Sequence, residues 1–217
     1  RGCSANDDLM ETPPVIISLL TDFGDRDEYV GVMKAVILRH APHAALVDLC
    51  HHILPHDIGQ AAAMIAAAYR FFPEGTLHVM VVDPGVGGHR DIVFAQAQSC
   101  GFLCPDNGLL SGLIAGNILH TAWRVTNREL FAPTVSTTFH GRDIMAPVAG
   151  FLASGGHPEK LGPRKAIADL ACSDIPAVRQ EADGSLWRTV VAVDRFGNVV
   201  TNIGRGLLTS AWEDDLK

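Results

Sequence analysis

Short, apolar, β-branched runs that end in an acidic or glycine-rich turn and hand over to a helical stretch recur along most of this chain. No other feature constrains the fold as strongly. Val15 to Leu20 ends at Thr21-Asp-Phe-Gly, Ala44 to Leu49 ends at a histidine pair, and Leu77 to Val82 ends at Asp83-Pro-Gly. Further strand patterns lie at Ile92–Ala97 and Gly101–Cys104. Between them, Asp27 to His40 places Tyr29, Val30, Met33, Val36 and Ile37 on one helical face and stops at Ala41-Pro42. Asp57 is placed to cap an alanine-rich helix that runs through Tyr69 and closes at Pro73-Glu-Gly. Helical patterns return at Leu109–Ile114 and Asp143–Leu152. Strands this uniformly apolar, alternating with helices, predict an α/β fold with a parallel sheet covered on both faces.

The texture changes after Gly162-Pro163, where the chain turns polar and irregular. Leu186–Val193 and Asn198–Ile203 then read as a strand pair bridged at Asp194-Arg-Phe-Gly. The expected organisation is a disordered leader over 1–14, an α/β catalytic domain over 15–165 and a small β-rich C-terminal domain over 175–217. Only a short tail follows Asn202, so that second domain is expected to be truncated.

Composition narrows the function classes. With 47% hydrophobic and 19% charged residues the chain can bury a proper core, which excludes intrinsic disorder. A net charge of −7 argues against a nucleic-acid partner, because neutralising phosphates needs a basic stripe. The longest apolar run is strand-sized, so no membrane span is expected. Five cysteines without a CxxC pair read as buried thiols of a reducing compartment, the cytoplasm.

In open α/β sheets ligands bind beyond the carboxyl ends of the strands, so the polar residues there carry the chemistry. The first strand delivers Asp22, with Asp25 and Asp27 close behind. The third delivers Asp83, then Gly85-Val-Gly-Gly and Arg90, and the turn before the last long helix delivers His140-Gly-Arg-Asp. Helix capping is a competing reading for Asp25, Asp27 and Asp143; for Asp22 and Asp83, beside glycines at strand ends, function is the stronger reading. The glycine run after Asp83 lacks the Gly-Lys-Ser/Thr of a phosphate loop and does not open a helix, which leaves a dinucleotide site weak. His51, His52 and His56 with Asp48 or Asp57 are a weaker metal-binding alternative. Ser136-Thr-Thr lacks the elbow of a serine hydrolase.

Five ordered blocks then carry a resemblance. They are Leu20-Thr-Asp-Phe-Gly with Asp27-x-Tyr-Val-Gly-x-Met-Lys, His78-Val-x-Val-Val-Asp-Pro-Gly-Val-Gly, Pro105-Asp-Asn-Gly-Leu-Leu-Ser, Thr138-Phe-His-Gly-Arg-Asp-Ile and Asp194-x-Phe-Gly-Asn-x-x-Thr-Asn-Ile. Spanning about residues 15 to 205, they resemble the S-adenosylmethionine hydroxide adenosyltransferase family, which is related to the adenosyl chloride and fluoride synthases. The resemblance implies a homotrimer, with active sites between the N-terminal domain of one subunit and the C-terminal domain of the next. It places a water-activating set on Asp83, Arg90 and His140, a ribose-diol carboxylate on Asp22, methionine-ammonium contacts on Asp27 and Asp194, and adenosine contacts on Phe196 and Asn198. It implies hydrolysis of S-adenosyl-L-methionine to adenosine and L-methionine without metal or other cofactor. Where the halogenase branch carries an aromatic hydroxyl, Asp83 or His140 stands here, and the fluoride-making members' loop insertion is missing. Both departures favour water over halide. A halide transferase and an inactive adenosine-binding module remain the alternatives.

The residue types suit that chemistry. A sulfonium leaves as a neutral thioether and needs no general acid; what the reaction lacks is a nucleophile. A guanidinium beside the water favours hydroxide character, since unit charges ~4 Å apart interact by roughly 4 kcal/mol at an effective dielectric of 20. His140 or Asp83 can take the proton. A carboxylate gripping the ribose diol fixes C5′ for in-line attack.

Overall fold

The computed structural model describes residues 14–173, 179–181, 185–187 and 189–201. Its centre is a seven-stranded sheet built from β1 (Ile16–Thr21), β2 (Ala45–Cys50), β3 (Thr76–Val81), β4 (Ile92–Ala97), β5 (Cys100–Pro105), β6 (Leu119–Arg124) and the two-residue β7 (Arg164–Lys165). The spatial order is β2-β1-β3-β5-β4-β6-β7. Strands β2, β1, β3 and β5 are parallel. The remaining three continue the sheet in antiparallel fashion. The α/β expectation holds; the antiparallel extension is an addition to it, and β6 is a strand that the sequence reading passed over. Its sequence, Leu-His-Thr-Ala-Trp-Arg, has neither a continuous apolar run nor a period-two alternation, and His120, Thr121 and Arg124 interrupt its buried residues.

Period-two alternation along the strands splits the core into two layers. Ile17, Leu19, Leu77, Val79, Val81 and Leu103 face one side and pack on Met33 and Ile37 of α1 (Tyr29–His40) and on Val148 and Ala149 of α4 (Ala146–Ala153). Leu20, Met80, Val82, Phe102 and Cys104 face the other and meet Ala61 and Ile65 of α2 (Ile58–Ala68) and Leu113 of α3 (Ser111–Ala115). Asp57 caps α2 as expected, its carboxylate accepting the Gln60 N–H at 2.8 Å. Neither Asp25 nor Asp27 caps α1, which starts at Tyr29 behind Glu28 with no side-chain capping bond.

The C-terminal part of the described chain forms two small hairpins, β8 (Arg179–Gln180) with β9 (Leu186–Trp187), and β10 (Val190–Val193) with β11 (Val199–Thr201). The second pair turns at Asp194-Arg-Phe-Gly, as the sequence predicts. Asn202 and Ile203 of the last block, residues 1–13 of the leader and the tail after Thr201 lie outside the described residues.

The second layer holds one polar pair. Ser18 Oγ lies 2.6 Å from Nδ1 of His78, whose ring is fully buried, stacks on Phe102 at 5.2 Å and meets the edge of Phe72 at 5.0 Å. Burial lowers the His78 pKa from 6.5 to about 4. Between those values the unfolded chain binds a proton that the folded one refuses, so stability falls as pH drops through that window. The full window is worth about 3 kcal/mol. Chemical denaturation of the wild type and of His78→Gln between pH 7 and 4 is expected to show the variant losing that much less on acidification. Parallel pH curves would show that His78 does not set the acid limb.

Candidate active site

Register brings the two strand-end carboxylates together. Thr21 pairs with Val81 at the carboxyl ends of β1 and β3, so Asp22 and Asp83 leave the sheet side by side. A cavity of about 310 Å³ opens over these ends, lined by Asp22, Asp83 and His140 together with the rings of Phe23, Tyr29 and Phe139. The three rings pack on one another at centroid distances of 5.1–5.8 Å, tilted or edge to face. Another cavity, of about 370 Å³, lies near the opposite ends of the strands; Glu74 is the one charged residue among its described lining, so it assembles no comparable set of acid–base groups.

Asp83 is locked by Arg90, which the glycine turn folds back onto it. Arg90 Nε donates to both carboxylate oxygens at 2.9 and 3.0 Å, and Nη2 donates to Oδ2 as well. Only 5% of the Asp83 side chain and 11% of that of Arg90 are exposed, so the pair sits in a medium where a fork-on-carboxylate contact is strong. Arg90 stands behind Asp83 rather than in the cavity wall. The turn passes close to the segment carrying His140: a Cβ at Gly87, whose φ is +77°, would sit 2.2 Å from the Thr137 carbonyl oxygen.

His140 is delivered by an irregular start to the last helix. A π-helical turn, Gly141–Met145, separates it from α4, a distortion common at functional sites. Pro147 lacks an N–H, so the Asp143 carbonyl four residues earlier is released from helical bonding and accepts the Ala132 N–H at 2.8 Å. The Asp143 carboxylate accepts from Arg142 Nε at 2.6 Å and Nη2 at 2.9 Å and from the Ser136 N–H at 2.8 Å. Burial pushes the Asp143 pKa up, but Arg142 and the Ser136 N–H prevail and hold it below the usual carboxylate value. Asp143 is therefore a clamp on the 132–139 loop rather than a helix cap. Burial, and next the Arg90 charge, lower the pKa of His140 against the opposing pull of Asp83 and Asp143. Its ring is thus neutral at pH 7 and able to accept a proton. Its buried Nδ1 has no hydrogen-bond partner.

The other expected site residues separate into two groups. Asp22 faces the cavity with Oδ2 held by the His56 N–H at 2.9 Å, His56 itself adopting φ +68°. Asp27 is exposed ahead of α1 and is not among the cavity's lining residues. Asp194, Phe196 and Asn198 lie on the β10–β11 turn, also outside that lining. There Asp194 accepts the Phe196 and Asn198 N–H groups, each at 2.8 Å, and the Asn198 amide at 2.6 Å, while the Phe196 ring is 81% exposed.

The sequence reading missed the aromatic wall and the 51–57 loop. Tyr29 was expected on the core face of α1, yet it is exposed and turned to the cavity. Phe139 stood next to His140 in a motif block, which was the available signal. The Pro105-Asp-Asn-Gly block turns out to be structural. Asp106 binds Lys165 Nζ at 2.5 Å and accepts the Ala171 N–H at 2.8 Å, and Asn107 donates to the Val82 carbonyl at 2.9 Å, steadying the strand end ahead of Asp83. No group of acidic, histidine or cysteine residues able to hold a metal occurs among the described residues, and the histidine-pair alternative gains no support.

Comparison with known proteins gives a consistent result. The family model described as the SAM hydroxide adenosyltransferase N-terminal domain matches residues 17–162. A protein of Salinispora tropica named (R)-S-adenosyl-L-methionine hydrolase is 39% identical over 188 residues, covering 86% of this chain and 71% of the relative. A fluorinase of Nocardia brasiliensis is 29% identical over 214 residues, covering 88% and 71%. The crystal structure of an uncharacterized conserved protein from Thermotoga maritima superposes with a TM-score of 0.81 at 37% identity, covering 88% of this chain and 72% of that one.

Proposed function

The chain belongs to the S-adenosylmethionine hydroxide adenosyltransferase family, and on that premise we propose that it hydrolyses S-adenosyl-L-methionine to adenosine and L-methionine. The observation that carries this reading is the convergence of Asp22, Asp83 and a neutral His140 on one cavity. Greater identity to the hydrolase-named relative than to the fluorinase supports water over halide.

In the reaction a water oxygen bonds to C5′ as the C5′–S bond breaks. The pair of electrons leaves on sulfur, which becomes the neutral thioether of methionine, and the water's second proton stays on adenosine as its 5′-hydroxyl. The proton that must be shed goes to His140. Asp83 is the less suitable acceptor, because the Arg90 guanidinium already occupies its carboxylate. Asp83, oriented by that pair, accepts a hydrogen bond from the water and aims it. Arg90 acts one step removed, through its grip on Asp83 and through a positive charge that favours a hydroxide-like oxygen. Asp22 holds the ribose hydroxyls, and the Phe23–Tyr29–Phe139 wall excludes water from the rest of the site. The cation loses its charge as the bond breaks, so the step requires no metal.

Asp27, Asp194, Phe196 and Asn198 complete the site in this reading. The three hairpin residues do so from a neighbouring subunit of a homotrimer, which accounts for their lying outside the cavity of their own chain. The thiols of the described residues, Cys50, Cys100, Cys104 and Cys172, are all free of disulfides and suit the reducing cytoplasm, and no described helix is long and apolar enough to cross a membrane.

Purified protein incubated with the separated sulfonium epimers of the substrate is expected to release adenosine and methionine in equal amounts, faster from the R epimer that the Salinispora relative's name specifies. Added chloride or EDTA is expected to change neither rate nor product. Formation of 5′-chloroadenosine would reassign the chain to halide transfer, and adenosine binding without turnover would make it an inactive module.

A further inference from the structure

We infer that His51 is a positioning residue that fixes the turn carrying Asp22, and through it the grip on the ribose; the inference rests on the ribose role proposed for Asp22. Both ring nitrogens of His51 are engaged. Nε2 lies 2.9 Å from Asp48 Oδ1, and a carboxylate only accepts, so Nε2 carries the proton. In the neutral ring Nδ1 is then the acceptor for the Thr21 hydroxyl, 2.9 Å away. With its proton turned to His51, Thr21 Oγ accepts the Phe23 N–H at 3.3 Å. On the far side of the turn the His51 carbonyl accepts the Gly24 N–H at 2.7 Å. One residue thus fastens the chain on either side of Asp22 and Phe23. Lys34 of α1 anchors the outer end of the relay, its Nζ 2.6 Å from Asp48 Oδ2.

A hydroxyl, an imidazole and a carboxylate in line also describe a nucleophilic triad. Here that reading fails, because Thr21 is 1% exposed and absent from the cavity wall. Simple core packing does not account for the arrangement either: an apolar side chain would fill the space, whereas this ring, whose side chain is 11% exposed, spends both nitrogens on one turn and its anchor. Asp22 is the functional group inside the bracket, and its Oδ2 is already oriented by the His56 N–H from the same 51–57 loop.

The test uses calorimetric titration of the whole chain with adenosine and with 2′,3′-dideoxyadenosine, which lacks the hydroxyls that Asp22 would hold. His51→Phe keeps the volume and loses both ring nitrogens. It is expected to weaken adenosine binding roughly tenfold and dideoxyadenosine binding by less than about twofold. His51→Asn, whose amide oxygen can replace Nδ1 as acceptor for Thr21, is expected to regain most of the loss. Thr21→Val should reproduce the adenosine-selective defect, and it stands in for His51→Phe should that variant not fold. Equal weakening for both nucleosides, or none, overturns the positioning role. A wild type that does not discriminate between the two nucleosides overturns it together with the ribose role of Asp22. Adenosine formation by the wild type is read separately, so failure of the hydrolase reading is distinguishable from failure of this one.

Discussion

Replacing His140 with alanine is expected to slow adenosine formation by roughly 10² to 10⁴-fold, the usual worth of a positioned general base. The wild-type profile should be flat above neutrality and fall on the acid side, with a midpoint below 6.5 because burial, aided by Arg90, lowers the His140 pKa. Below that midpoint the imidazole is already protonated and cannot take the proton from water. In His140→Ala the residual rate should lose this acid limb. Removing Arg90 should move the midpoint upward in its own residual activity, since the guanidinium disfavours the imidazolium while the unmasked Asp83 favours it. A variant that keeps the wild-type rate, or keeps its acid limb, removes His140 from the role of base.

Arg90→Met is expected to damage both stability and activity, and the two effects separate. The substitution leaves the Asp83 carboxylate, 5% exposed, without its counter-charge, and breaking one side of such a pair costs about 3–5 kcal/mol. Turnover should fall by about 10² to 10³-fold, by analogy with removal of a preorganised electrostatic group. Adding Asp83→Asn to Arg90→Met removes the stranded charge, so the double variant should regain much of the lost stability and none of the activity. Recovery of activity with stability would show that the pair serves the fold alone. Thermal unfolding and turnover measured on the single and double variants decide this.

The sequence made the site legible where function and backbone geometry coincide. Asp22 and Asp83 end largely apolar strands at turns with glycines, and parallel pairing of those strands suffices to bring them together. His140 and Arg90 stood in motif blocks, but their placement depends on features without a local signature. Within the π-helical turn after His140 the Asp143 carbonyl accepts the Ala132 N–H, a contact eleven residues back along the chain. Arg90 meets Asp83 only because the glycine turn between them reverses the chain. His51 stood out in the sequence only as a weak metal-ligand candidate; its contact with Thr21 depends on the register of β1 with β2. Strand β6 escaped because His120, Thr121 and Arg124 leave it neither an apolar run nor a regular alternation. Asp194, Phe196 and Asn198 were assigned to the substrate only through the last motif block; in the single chain Asp194 bonds to its own turn and none of the three lines the cavity.

In the proposed reaction water oxygen becomes the 5′-hydroxyl of adenosine, and hydrolysis in ¹⁸O-labelled water shows whether it does. Mass spectrometry of the products of a single turnover should find the label in adenosine, on the 5′-oxygen, with methionine unlabelled. Unlabelled adenosine, or label in the amino-acid product instead, would contradict attack at C5′ and with it the roles given to Asp83, Arg90 and His140.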